Sequence, residues 1–186
     1  MVRSIAVAGA AVVAFAGSLQ AQEDSEARLR PELAPLEFLA GGCWTGVFPG
    51  SETFDVHCYT PVFAGKFVRD VHAVPQGADV YRGETLYHWD GEAGAIRYRY
   101  YNSIGGVSDG TAVPEEGRIR FPDEIYRGDD GAVRVFTTVW EQTGPDGYRV
   151  ITREIVEGDG ANDDAMVVEF HRISREEADQ LIPDGL

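Results

Sequence analysis

The chain has 186 residues and a formal net charge of −15, with 22 Gly, 9 Pro, 9 Phe, 8 Tyr and 3 Trp. Its acidity excludes nucleic acid as a partner, because phosphates would be repelled, and favours solubility. Turn-forming residues interleaved with aromatics point to many short strands, and the length suits one domain rather than two.

Residues 1–21 read as a secretory signal peptide. Met1-Val2-Arg3 is a short positive start, Ile5 to Gly17 is an uncharged run, and Leu19-Gln20-Ala21 offers small residues for cleavage. The apolar run is far shorter than the roughly 20 residues that a bilayer core demands, so it is not a membrane span. Cleavage removes Arg3 and leaves the chain one unit more negative. The expected location is periplasmic or secreted, with no membrane insertion after the signal is removed.

Residues 22–32 read as a flexible leader, 33–174 as a β-barrel domain and 175–186 as a C-terminal helical tail. Pro31 to Ala40 reads as a short helix with Leu33, Leu36 and Leu39 on one face, suited to plug one end of the domain. From Cys43 onward come β-like runs separated by Gly, Pro and Asp: 43–48, 53–62, 66–74, 81–90, 95–103 and 107–113. The series continues with 118–126, 132–142, 148–157 and 165–173. About ten strands with short connections predict an all-β, antiparallel up-and-down barrel or sandwich. Ser174 with Glu177 forms a capping box for the terminal helix, which Pro183 and Gly185 stop.

Directly opposed residues in a hairpin keep a constant index sum, so three registers can be written down. A turn over Pro49 to Glu52 sets Phe48 opposite Thr53, Trp44 opposite His57, and Cys43 opposite Cys58. The two cysteines of the chain then meet on a non-hydrogen-bonded pair, where strands approach closest, and an exported chain predicts a disulfide between them.

A turn over Gly91 to Gly94 sets Trp89 opposite Ile96, Tyr87 opposite Tyr98, and Thr85 opposite Tyr100. That face points inward, and Glu84, His88, Arg97 and Arg99 point outward. Buried tyrosines need partners for their hydroxyls. The face therefore lines either a polar-tipped cavity or a core with tyrosine tips at its rim. A turn over Thr143 to Gly147 sets Trp140 opposite Val150 and puts Glu154 on the face of Phe136, Thr138, Trp140 and Thr152. Glu154 is then either a buried carboxylate with a raised pKa or a solvated one.

The stretch Leu36-Glu37-Phe38-Leu39-Ala40-Gly41-Gly42-Cys43-Trp44-Thr45-Gly46, a short helix feeding a Gly-x-Trp strand, resembles the opening of calycin-type, lipocalin-like barrels. It is most similar to bacterial members related to the nitrobindin barrels. Phe63 to Asp70, Tyr81-Arg82-Gly83-Glu84, Trp89-Asp90 and Asn102 to Gly110 fit the same pattern, over roughly residues 33 to 173. The resemblance implies a barrel with a helix at one mouth, Trp44 packed at the closed end, and an interior for a small, mostly apolar ligand. Nitrobindin-like members bind haem through a histidine near the C-terminus, which invites comparison with His171. Glu169-Phe170-His171-Arg172 departs from the surrounding pattern of that family, so haem is a lesser alternative.

The favoured reading is a binding barrel whose small apolar or amphipathic ligand contacts Tyr87, Trp89, Tyr98, Tyr100 and Trp140, with Glu154 and Arg69 as polar contacts. The alternative is an isomerase or hydrolase using Arg69, His72 or Glu154 as acid or base. His57, His72, His88 and His171 show no ligand spacing beyond Asp70-x-His72. No nucleophile elbow, phosphate loop or dinucleotide fingerprint is present. The sequence reading therefore assigns no catalytic set, metal or cofactor.

Overall fold

Period-two alternation between Gly-, Pro- and Asp-rich turns produces strands where the sequence predicts them. The computed structural model describes residues 28–156, 160–161 and 165–182. The signal peptide expected over 1–21 lies outside the described residues, as do 22–27 of the leader and 183–186 of the tail.

The strands are β1 (Cys43–Val47), β2 (Phe54–Val62), β3 (Phe67–Gln76), β4 (Asp79–Asp90), β5 (Ala95–Asn102) and β6 (Val107–Glu115). They continue with β7 (Arg118–Arg127), β8 (Val133–Gly144), β9 (Gly147–Val156), β10 (Gly160–Ala161) and β11 (Met166–Ile173). Strands β1 to β9 pair antiparallel in chain order, and β11 inserts between β9 and β1 to close a ring of ten. The two-residue β10 pairs with β9 as an extra strand.

The three hairpin registers stand as expected: Trp44 faces His57, Tyr87 faces Tyr98, and Trp140 faces Val150. Cys43 and Cys58 form the disulfide, with Cα atoms 4.1 Å apart. Ring closure rests on a pairing that no hairpin supplies, Trp44 opposite Arg172 between β1 and β11.

The closed end is built from the segment before β1. Pro31–Leu36 is a 3-10 helix, whose three-residue turn stacks Leu33 and Leu36 on one side, Leu39 follows in the turn after it, and all three are buried. Leu29, within the expected leader, is already part of the core, and the Arg30 N–H donates to the Gly65 carbonyl at 3.0 Å. Trp44 packs against these leucines. The Arg172 guanidinium lies 4.2 Å from the Trp44 ring centroid and donates to the Phe38 carbonyl at 2.7 Å.

A second apolar cluster sits outside the barrel. Helix α1 (Arg175–Leu181) starts on the predicted capping box, with Ser174 Oγ accepting from the Glu177 N–H and the Glu177 carboxylate accepting from the Ser174 N–H. It sets Ala178 and Ile182 against Cys43, Val56, Cys58 and Ala73 on the outer surface of β1 to β3. This arrangement turns the apolar side of β2 outward, and the other side of that strand decides the interior.

Candidate functional site

With Val56 and Cys58 facing α1, alternation sends Asp55, His57 and Tyr59 of β2 into the barrel, beside Asp70 and His72 of β3. His57 Nε2 lies 3.1 Å from Asp55 Oδ2, and its Nδ1 lies 3.0 Å from Asp70 Oδ2. His72 Nδ1 lies 3.0 Å from Asp55 Oδ1, and its Nε2 lies 3.0 Å from Tyr100 Oη, which in turn meets Tyr81 Oη. The imidazoles stack with centroids 4.6 Å apart and planes 13° from parallel.

Gly83 makes room for this arrangement. It stands directly opposite His72, and a Cβ there would lie 2.2 Å from His72 Nε2 and 2.4 Å from Tyr100 Cε2. No other residue leaves the imidazole that space.

The cluster is strongly polarised. Burial opposes a charge on His57, but the Asp55 and Asp70 carboxylates outweigh it and hold the imidazole well above the ordinary histidine range. Burial likewise opposes ionisation of Asp55, and His57 and His72 outweigh it, so its carboxyl titrates well below the usual range.

These groups form one wall of an interior cavity of about 360 Å³. Phe121, Phe136, Trp140, Val150 and Val168 supply an apolar wall from β7, β8, β9 and β11. Half-exposed Met166 marks the side that opens to solvent. Trp140 reaches toward Tyr59 and Tyr87, with ring centroids 6.2 Å and 6.1 Å away. Burial pushes the Tyr59, Tyr87 and Tyr148 hydroxyls well above the ordinary tyrosine range, so they line the interior as neutral groups.

Of the residues expected to contact a ligand, Tyr87, Tyr98, Tyr100 and Trp140 line this cavity. Trp89 faces the same way but packs beyond the lining, against the core. Arg69 stands between inward-facing Val68 and Asp70, so it points outward, and its guanidinium pairs with Glu84 at 2.7 Å. Glu154 takes the solvated alternative, with its side chain 41% exposed and 3.9 Å from Arg134. Of the three groups weighed as acid or base, His72 alone enters the interior. His171 is exposed beside inward-facing Phe170, which leaves it facing away from any ligand held inside.

Sequence spacing missed Asp55, His57 and Glu124. A signal for the first two was available: carrying the index sum across the turn at Phe63 to Lys66 sets Val62 opposite Phe67 and therefore His57 opposite His72, as observed. Glu124 enters because β7 shifts register between Phe121 and Glu124. It lines the cavity and accepts from Ser108 Oγ at 2.7 Å.

No family model and no curated protein matches the chain. A solved structure does. It is that of Rv2717c from M. tuberculosis, 12% identical, with a TM-score of 0.53, covering 79% of this chain and 100% of that one. At that identity the likeness shows the barrel fold alone.

Burial raises the Glu124 pKa, and the Ser108 hydroxyl only partly opposes this. In the pH range between the unfolded value of about 4.3 and the raised folded value, the native state holds a proton that the unfolded chain has released. This contribution to stability therefore falls as pH rises through that range. Glu124→Gln, which mimics the protonated form, is expected to gain stability relative to the parent as pH rises above the unfolded value of about 4.3. Thermal melts across pH check this, and parallel curves for the two proteins would sink it.

Proposed function

We propose that this chain is an exported binding barrel that holds a small amphipathic molecule, its apolar body against the aromatic wall and its polar group at the acid–histidine wall. The observation that carries the reading is the two-sided lining of a cavity whose volume of about 360 Å³ lies within the roughly 300–1,000 Å³ usual for ligand pockets. Export is supported by the signal-like start and by the Cys43–Cys58 disulfide, which persists in oxidising compartments. The lipocalin-like character rests on the Gly-x-Trp opening and the plugged barrel end. A cation or hydrogen-bond donor on the ligand suits the two carboxylates at Asp55 and Asp70.

Native mass spectrometry of the protein from its own host tests both parts. The expected species begins at Gln22, after cleavage, and carries a co-purifying organic molecule. The purified protein should also take up the neutral fluorophore N-phenyl-1-naphthylamine. Thr138→Trp, which fills the cavity beside Thr152, should abolish uptake while far-ultraviolet circular dichroism and cooperative thermal unfolding stay native. Absence of both adduct and uptake, or uptake undiminished by the filled cavity, would overturn the reading.

A further inference from the structure

We propose that Asp55, His57 and His72 form a binding site for a divalent transition-metal ion, zinc or one of similar ligand preference, with open coordination facing the cavity. Ligand atoms of the three residues all lie within 4.8 Å of one another. Each oxygen of Asp55 stands 3.0–3.1 Å from a different imidazole nitrogen. Atoms sharing a tetrahedral ion at about 2.0–2.1 Å are separated by about 3.3 Å, close to both carboxylate–imidazole distances, and the ion draws the two ring nitrogens together from within 4.8 Å.

The outer nitrogens point to the same use. A metal-binding histidine usually donates its other ring N–H to a carboxylate or another oxygen, which fixes the tautomer and aims the lone pair at the metal. His57 has Asp70 at its Nδ1, and His72 has Tyr100 at its Nε2, leaving His57 Nε2 and His72 Nδ1 directed at Asp55. Binding the ion releases the proton that Asp55 and Asp70 hold on His57, after which the divalent charge with two neutral imidazoles balances the two carboxylates. Two imidazoles and one carboxylate leave coordination positions free, as in sites that bind a further ligand rather than purely structural ones. The site is reachable, since all three residues line the cavity. It stands apart from the organic-ligand reading, because the ion needs no second ligand to bind.

The test uses the disulfide-bonded mature chain, stripped with a chelator and titrated with Co²⁺ and then Zn²⁺. Co²⁺ should develop the intense ligand-field bands of a site with nitrogen ligands and low coordination number, and Zn²⁺ should displace it. Asp55→Asn and His72→Gln should each weaken Zn²⁺ binding at least 100-fold. Asp70→Asn, which removes the carboxylate charge beside His57 Nδ1 and leaves the three ligands in place, should weaken it about 10–100-fold. His88→Ala and His171→Ala, outside the cavity, should leave it unchanged. If Asp55→Asn does not fold, His57→Gln and His72→Gln report the same contacts from the nitrogen side. Absence of ligand-field bands, or binding that survives these substitutions, would overturn the site. Failure of the fluorophore uptake described above would leave the site standing.

Discussion

Trp44→Ala is expected to cost about 3–5 kcal/mol of folding stability, the range for deleting a large, fully buried aromatic. Trp44 is wholly buried where the plug of Leu33, Leu36 and Leu39 meets the barrel. Its ring stands edge-on to Tyr148 at 5.1 Å and carries the Arg172 guanidinium on its face. The substitution removes packing at the point where β1, β11 and the 3-10 helix converge, and it leaves a void that none of these elements can close alone. Domains of this kind hold about 5–15 kcal/mol in all, so the loss is a large share of the total. Urea unfolding of parent and variant measures it, with Trp44→Phe recovering part of the loss. A loss below about 1 kcal/mol would show that the plug is not anchored there.

Removing the Cys43–Cys58 bond is the second large effect. The cysteines are 15 residues apart, and the chain-entropy cost of closing such a loop corresponds to about 3 kcal/mol. For a domain of this size, that lowers the melting temperature by about 6–12 °C. Both cysteines also belong to the cluster under α1, so Cys43→Ala with Cys58→Ala should loosen the terminal helix as well as β1 and β2. Melts with and without reductant, with thiol labelling to confirm reduction, measure the first effect, and amide exchange of residues 175–182 the second. An unchanged melting temperature in fully reduced protein would refute it.

Much of the fold was legible because its information is local. Each hairpin register follows from one turn and a constant index sum, and this sufficed to place Cys43 on Cys58 and Tyr87 on Tyr98. The face of β5 was legible for the same reason, since Tyr98 and Tyr100 alternate with Arg97 and Arg99. Arg69 illustrates the converse. Nothing in its own segment contrasts an apolar face with a polar one, because its inward neighbours on β3 include Asp70 and His72.

The acid–histidine cluster was hidden by a reversal of the usual rule. Alternation along β2 reads Val56 and Cys58 as core and Asp55 and His57 as surface, yet the barrel interior receives the second pair. The reversal is possible because α1, more than a hundred residues further along the chain, covers the outside of β2 and keeps its apolar residues from water. A segment with two apolar environments available carries no mark of which one lies inside the barrel.

The sequence by itself determined the strands, the turns, the disulfide partners and the inward face of the β4–β5 hairpin, since each depends on neighbours a few residues away along a hairpin. Only the tertiary structure decided that β11 closes the ring against β1, that α1 caps the outer face of β2, and that Asp55, His57, His72 and Tyr100 meet inside. Those contacts join β11, β1, β2, β3 and β5 through successive pairings, and a distant helix. Their geometry exists only once the sheet has curved and closed, which brings inward-facing side chains from separate hairpins within hydrogen-bonding reach.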